Sequence, residues 1–369
     1  MSKPTDTLWP MDSHTRGKHI VLRRYLEAWL PILSYSARVR AALGPGKLVL
    51  VDGFAGPGRY STGEDGSPLI MLKAFLEHDQ RELITANLIY LFIEERTDRV
   101  GRLKEEVATL ELPSQVTVQI EQGRFQDVFT DLLDDIQSRG AQLAPTFAFI
   151  DPFGYTGAPM DLSGRFLAFH RCEALVYMPL PFVNRFVGRA GQEEALTALF
   201  GSDRWREAVS LSGEARVQCL HELFQEQLRF ESADRLVRSI EIPTSEGNGY
   251  RLYFTTASEK GLEKMKEAMW RADPLGGERY TDTTGELVLF EPEPETAPLL
   301  RALQARFRSE PFTIEEADRF TLLETPYLPG SHLKRRTLAP AEKAGRLEVL
   351  SARKRRGTFT AGTRMRFLY

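Results

Sequence analysis

Leu48-Val49-Leu50-Val51-Asp52-Gly53-Phe54-Ala55-Gly56-Pro57-Gly58 is the stretch whose reading decides the fold. Four apolar residues run without alternation into a carboxylate, and three glycines follow within six positions. Such a run predicts a strand buried on both faces, as in a parallel sheet. The glycines predict a loop whose backbone comes very close to a ligand. No basic residue stands between Asp52 and Gly58, which suits a ligand without phosphates.

Outward from this stretch, strands and helices alternate. His19 to Leu33 carries apolar residues at helical spacing, a helix expected to kink or break near Pro31. Ser67 and Pro68 open a helix as N-cap and first residue, running to about His78. Leu88–Ile93 reads as a second buried strand, and Val116–Ile120, Thr146–Ile150 and Ala174–Met178 as further strands, with helices over Arg96–Leu110, Phe125–Ser138 and Met160–His170 between them. This is the pattern of a doubly wound α/β sheet. Leu236–Ile242 and Tyr250–Thr256, joined by Ser245 to Gly249, read as an antiparallel hairpin closing its edge. A helix over Gly261–Arg271 presents Leu262, Met265 and Met269 on a core-facing side.

The expected domains are a helical segment over 1–46, the α/β domain over 47–290, a stiff linker over 291–296 (Glu-Pro-Glu-Pro-Glu and the next residue) and a small domain over 297–369. In the last, helices over Ala297–Arg308 and Ile314–Phe320, with Thr313 as N-cap, precede a third over Ser331–Ala344 that Pro340 shortens or kinks. Two short strands with a glycine-bearing loop follow, which together describe a winged helix.

Residues 331–369 hold eleven Lys or Arg against Glu342 and Glu348, on a chain of net charge −3. The rest is therefore acidic, and a basic tail on an acidic body is either a solvated face or a nucleic-acid contact, with Lys334, Arg335, Arg336, Arg353, Lys354, Arg355 and Arg356 as its candidates. An apolar share of 42% suits a packed globular chain, and no apolar run reaches the ~18 residues of a membrane span. Two cysteines and no apolar leader fit a reducing cytoplasm. Walker, Gly-x-Ser-x-Gly and His-Glu-x-x-His motifs are absent, and the six histidines show no ligand spacing, so no metal is expected.

Ligands of open parallel sheets bind at the carboxyl ends of the strands, so what each strand delivers there matters. The first delivers Asp52, Gly53, Phe54, Ala55, Gly56 and Gly58, a carboxylate for a ligand ammonium and a bare backbone. The second delivers Glu94, placed to accept ribose hydroxyls or else only to cap a helix. The third leads to Phe125, against an adenine, and Asp127, a partner for its amino group or merely a first-turn residue. The fourth delivers Asp151-Pro152-Phe153-Gly154, a carboxylate to hold an amino group and a ring to stack on a planar base, or a strand stop and a packed ring. Asn184 follows the fifth strand on the substrate side, and Lys18 and His19 face either the cleft or the sheet. The combination points to S-adenosyl-L-methionine, with Asp151, Pro152, Phe153 and Asn184 as catalytic residues; NAD stays open for the glycine turn but gives Asp-Pro-Phe-Gly no role.

Lys18-His19, Tyr25-Leu26, Ala28 to Leu33, Asp52 to Tyr60 and Asp65 to Leu69 resemble the three-Cys-motif partner (TcmP) family, as do Phe149 to Gly154, Asn184 to Phe186 and the Gly261 to Trp270 helix. The resemblance implies a class I, Rossmann-like methyltransferase domain with an antiparallel edge strand, a winged-helix-like tail, and a partner similar to radical S-adenosylmethionine proteins bearing a three-cysteine motif. Asp-Pro-Phe-Gly is also similar to the motif of tRNA guanine-N2 dimethyltransferases, though Phe153 stands where many amine-methylating enzymes of bases carry a second proline. The expected function is transfer of a methyl group to an amino group of a nucleic-acid base, RNA before DNA. The alternative is a catalytically silent protein of the same fold that binds nucleic acid or the radical-enzyme partner.

Overall fold

The computed structural model describes residues 5–40, 46–229, 235–243, 249–281, 293–353 and 355–368, and the side chains of 13, 14 and 37–40 lie outside that description. The chain divides into two compact units, Met1–Gly261 and Leu262–Tyr369. The division falls ahead of the expected 291–296 linker, whose first two residues lie outside the described ones, as does most of the 245–249 hairpin loop.

In order, the first unit contains α1 (Ser13–Arg40), β1 (Lys47–Asp52), α2 (Ser67–Leu76), β2 (Asn87–Glu94), α3 (Thr97–Ala108), β3 (Val116–Gln122), α4 (Phe125–Ser138) and β4 (Thr146–Ile150). There follow α5 (Met160–Leu167), β5 (Cys172–Met178), α6 (Leu180–Asn184), α7 (Glu193–Phe200), α8 (Gly213–Arg229), β6 (Leu236–Ile242) and β7 (Tyr250–Thr256). The seven strands lie in the order β3-β2-β1-β4-β5-β7-β6. The first five pair in parallel and β7 runs antiparallel to both β5 and β6. This is a doubly wound, Rossmann-like sheet with a reversed edge strand. Strand order turns between β1 and β4, so Asp52 and Asp151 leave the sheet at its switch point. β4 and β5 are buried throughout, as unalternating apolar runs require.

α1 passes through Pro31 without ending there. A proline inside a helix leaves the carbonyl four residues earlier without its N–H partner. That carbonyl belongs to Glu27, and His78 Nε2 lies 2.8 Å from it, while His78 Nδ1 accepts from the Gln80 N–H at 2.9 Å. The second contact fixes the tautomer, so Nε2–H donates to Glu27. The expected break is thus averted by a side chain 51 residues away. The same helix is tied to the sheet by Glu173, whose buried carboxylate accepts from Tyr25 Oη (2.7 Å), Trp29 Nε1 (2.6 Å) and Thr256 Oγ1 (2.5 Å). Lys18, Leu22, Tyr25 and Trp29 recur at three- and four-residue steps, so the face that meets Glu173 also aims Lys18 inward.

The second unit holds α9 (Glu259–Ala272, beginning just ahead of it), α10 (Ala297–Phe307), β8 (Phe312–Thr313), α11 (Ile314–Glu324), a π-helical segment (Pro329–Leu338), α12 (Ala339–Lys343), β9 (Leu347–Val349) and β10 (Arg364–Phe367). Its strands form an antiparallel sheet in the order β8-β10-β9. Thr313 caps α11 through a reciprocal capping box with Glu316. Pro340 is accommodated as Pro31 is: the carbonyl of Arg336, four residues earlier, accepts from Thr296 Oγ1 at 3.0 Å. The Lys266 ammonium is almost fully buried and donates to the carbonyls of Thr321 (3.0 Å), Leu322 (2.9 Å), Thr325 (2.9 Å) and Tyr327, closing the end of α11. Stacked Phe307, Phe312 and Phe367 rings centre the core.

Candidate active site

The glycine loop after β1 owes its path to a few positions. Gly56 and Gly58 have φ of 62° and 83°, a region side-chain-bearing residues rarely enter. A Cβ on Gly53 would stand 2.7 Å from the Phe125 ring, so Gly53 is small in order that Phe125 can pack against the loop. Glu94 holds the loop from the neighbouring strand: its Oε2 accepts from the Gly56 N–H at 3.0 Å and its Oε1 from the Arg96 N–H at 2.8 Å. Each carboxylate oxygen keeps acceptor capacity beyond these bonds.

Two cavities open on this loop. One, of about 300 Å³, is lined by Gly53, Phe54, Glu94, Arg99, Phe125, Gln126 and Phe153 among others. The other, of about 330 Å³, is lined by Trp9, Lys18, His19, Phe54 to Tyr60, Asp151 to Gly154, Tyr177 and Tyr250 among others. They share Phe54 and Phe153 as a common wall. Cavities of this size accommodate small-molecule ligands.

Asp52 lies under the loop with no exposure. Its Oδ1 accepts from the Phe54 N–H at 3.1 Å, while its Oδ2 is buried without a hydrogen-bond partner. Burial above all pushes its carboxyl up to about 7; hydrogen bonds from Ser67 and the Phe54 N–H oppose this, and Asp151 and Glu94 add to it. Ser67 was expected to cap α2, but Gly66 holds the N-cap position without a side-chain bond and Ser67 is the first residue of the helix.

In the larger cavity, Lys18 Nζ donates to Asp151 Oδ2 at 2.6 Å and sits 4.1 Å from the centre of the Tyr177 ring. Burial first and Lys18 second pull His19 down to about 3, so its ring is neutral. Burial, then Asp151, raises the phenols of Tyr60 and Tyr177, which stay protonated.

Most of the residues read from the sequence converge here: Gly53, Phe54, Ala55, Gly56, Gly58, Glu94, Phe125, Asp151, Pro152 and Phe153 line one cavity or both. Asp52, Asp127 and Asn184 line neither, Asp52 because it is fully buried beneath the loop. Asp127 is exposed in the first turn of α4, and its neighbour Gln126 lines the smaller cavity. Asn184 ends α6, where Pro179 and Phe182 reach the cavity instead. Sequence reasoning missed Trp9 and Arg99. Residues 5–11 form a strap held by Arg96 Nη1 on the Thr5 carbonyl (2.5 Å), Arg99 Nη2 on that of Asp6 (3.0 Å), Thr7 Oγ1 on Asp98 (2.5 Å) and the Ser61 N–H on the Trp9 carbonyl (2.9 Å). The Trp9 ring meets Phe153 at 5.5 Å and Tyr60 at 5.8 Å between centroids, with the Arg99 guanidinium 4.5 Å from its centre. Arg99, at one turn past Glu94, is the one of the two that a search for charge near the second strand end would have found.

In the second unit, Arg353 forms a bidentate pair with Glu342, which also holds Arg356 at 3.3 Å and the Gly357 N–H at 3.1 Å. Lys334 pairs with Asp318 at 3.4 Å. Arg335, Arg336 and Arg355 are exposed, and Lys354 lies outside the described residues.

Among the described residues no group of three His, Cys, Asp or Glu is placed to hold a metal ion, and no helix is long and apolar enough to cross a membrane. No protein-family model matches the chain, and no curated protein does. Solved structures that it resembles include Trm1 from Pyrococcus horikoshii with S-adenosyl-L-methionine, at 15% identity over 73% of this chain and 61% of that one, TM-score 0.38. It also resembles the O-methyltransferase TomG from Streptomyces achromogenes in complex with SAM (16%; 68% and 92%; 0.30) and an O-methyltransferase from Bacillus cereus in complex with SAH (14%; 67% and 92%; 0.30). The chain thus spans less than two thirds of Trm1. Scores this low carry no weight for ligand or substrate, which rest on the chain's own residues.

Proposed function

We propose that this chain is an S-adenosylmethionine-dependent methyltransferase acting on an amino group of a nucleic-acid base, RNA before DNA. The observation that carries the reading is the pair of cavities walled by Phe54 and Phe153, with Glu94 on one and Asp151 on the other. The residues present fit the cofactor. Asp52 Oδ2, buried and unpartnered, suits the ammonium of the methionine end. The open φ angles at Gly56 and Gly58 suit its close approach, and Glu94 faces the cavity where a ribose would lie.

When bound, the cofactor supplies a methyl group on a positively charged sulfur. Asp151 accepts a hydrogen bond from the acceptor amine and turns the nitrogen lone pair toward that methyl. Asp151 would then take the surplus proton from the methylated nitrogen and pass it to water. Phe54 and Phe153 keep water from the reacting atoms.

The second unit follows the helix–strand–helix–helix–strand–strand order of a winged helix, which supports a role for its exposed Arg335, Arg336 and Arg355 on phosphates. The likeness to three-Cys-motif partner proteins adds a radical-enzyme partner to the proposal. A non-catalytic reading has one observation in its favour, the pairing of Asp151 with Lys18.

Calorimetry with S-adenosylhomocysteine tests the proposal. The wild type binds it, whereas Asp52→Ala and Gly56→Val do not; Val at φ 62° is strained and meets Trp9. Failure of the wild type to bind at millimolar ligand refutes the enzyme reading, and binding without methyl transfer to bulk RNA or DNA favours the non-catalytic one.

A further inference from the structure

Lys18 is unexplained by a mechanism that asks only for the Asp151 carboxylate. Its side chain is buried on α1, and its ammonium is in contact with Asp151 and over the Tyr177 ring. The charged residues lining the larger cavity are Asp12, Lys18, Arg59 and Asp151, and Arg59 is already bound to Asp65 and Glu106. The cavity therefore presents the Lys18 ammonium fixed beside the Asp151 carboxylate, with Asp12 as a second carboxylate on its wall, among the rings of Trp9, Tyr60, Phe153 and Tyr177.

We infer that Lys18 selects the acceptor: it donates to a ring nitrogen or carbonyl of a flat, uncharged heterocycle while Asp151 accepts from the amino group next to it, and it turns away alkylammonium acceptors such as lysine side chains and polyamines. This rests on the methyltransferase reading and deepens it. The aromatic walls do not discriminate by themselves, since such rings stack on heterocycles and also attract cations. The ion pair does. A carboxylate among rings is a site for an alkylammonium, but the Asp151 carboxylate already has its cation. A second ammonium brought to Asp151 meets Lys18 Nζ at contact range, and like charges so placed repel. An alkylammonium must also lose a proton before its nitrogen has a lone pair, whereas the amine of a neutral heterocycle needs no such step. Lys18 Nζ has three N–H donors and Asp151 takes one, which leaves donors for an acceptor atom adjacent to the amine.

The test uses the full chain, tritiated S-adenosylmethionine and four acceptors: bulk RNA, bulk DNA, polylysine and spermidine. Wild-type protein is expected to label nucleic acid and neither polycation. Lys18→Met is expected to lower kcat/KM on nucleic acid at least tenfold, mainly through KM, to keep S-adenosylhomocysteine affinity within about twofold, and to gain label in spermidine as Asp151 loses its cation. Lys18→Arg is expected to restore part of the nucleic-acid activity without the gain. Should Lys18→Met not fold, Lys18→Gln replaces it with the same expectations. Wild-type label in polylysine or spermidine, no label in any acceptor, or a Lys18 variant indistinguishable from wild type overturns the inference while homocysteine-cofactor binding persists. Loss of that binding in the wild type removes the methyltransferase reading itself.

Discussion

Lowering the pH from about 8 to about 5 is expected to weaken S-adenosylhomocysteine binding about a hundredfold, with Asp52 as the titrating group. Burial pushes that carboxyl up to about 7, and its Oδ2 has no partner within the protein. A ligand ammonium supplies that partner and favours the carboxylate, so below pH 7 binding must release the Asp52 proton. The affinity then falls tenfold for each pH unit below 7, which from 7 to 5 gives the two decades, and is flat just above 7. His19, held near 3, stays neutral across the range and adds nothing. Calorimetry in two buffers of different ionisation enthalpy reads the proton directly: close to one released at about pH 5.5 and close to none at about pH 8. Asp52→Asn should bind weakly at every pH. A wild-type affinity that is level from pH 5 to 8 with no proton release, or an Asn variant that binds as the wild type does, refutes the reasoning.

The same group predicts a stability effect of known sign. A folded-state value raised to about 7 means that ionised Asp52 opposes folding: its contribution is fully favourable below the unfolded value of 3.8 and is lost as pH rises through 7, by about 4 kcal/mol. Asp52→Asn should therefore raise the denaturation midpoint of the ligand-free protein at pH 8, with the gap closing toward pH 4. His78→Ala leaves the Glu27 carbonyl unpaired and should cost about 1–3 kcal/mol in denaturant melts, most of which Pro31→Ala restores by returning a helix N–H. Lys266→Met strips several buried carbonyls of their donor and should cost about 3 kcal/mol or more while leaving S-adenosylhomocysteine affinity unchanged. If the second unit grips duplex phosphates, the plot of log K against log salt should have a slope of about −3, set by Arg335, Arg336 and Arg355, and not the roughly −6 of all seven sequence candidates.

What was legible in the sequence is what local chemistry dictates. Apolar runs, unbroken in β4 and mixed with polar residues in β3, β6 and β7, marked the seven strands of the large sheet within a residue or two, and the residues at the parallel strands' carboxyl ends form much of both cavity walls. The capping box at Thr313 was visible because its partners are three residues apart. The misreadings share a cause, a partner distant in sequence. Pro31 breaks nothing because His78 answers its lost hydrogen bond from 51 residues away. Trp9 enters the site through bonds to residues 61 to 99, which no periodicity announces. Asp127 fails because one step along a helix turns a side chain by 100°, enough to put Gln126 on the cavity and Asp127 in solvent. Of the seven basic candidates, composition did not distinguish those that Glu342 and Asp318 hold from those that face water.

Three of the four tryptophans, Trp29, Trp205 and Trp270, are sealed in packed interiors at 8% exposure or less. Trp9 is the partly open one, and it is the one in the strap, with the Arg99 guanidinium on its ring and its edge 3.5 Å from where a Cβ on Gly56 would stand. The molecule consequently carries its own fluorescent reporter at the glycine loop. Emission from the buried three should resist aqueous quenchers, and the guanidinium beside Trp9 should make iodide a better quencher of the fourth than caesium. Occupancy of the loop should then be readable in an unlabelled sample, as the fraction of emission that iodide no longer reaches.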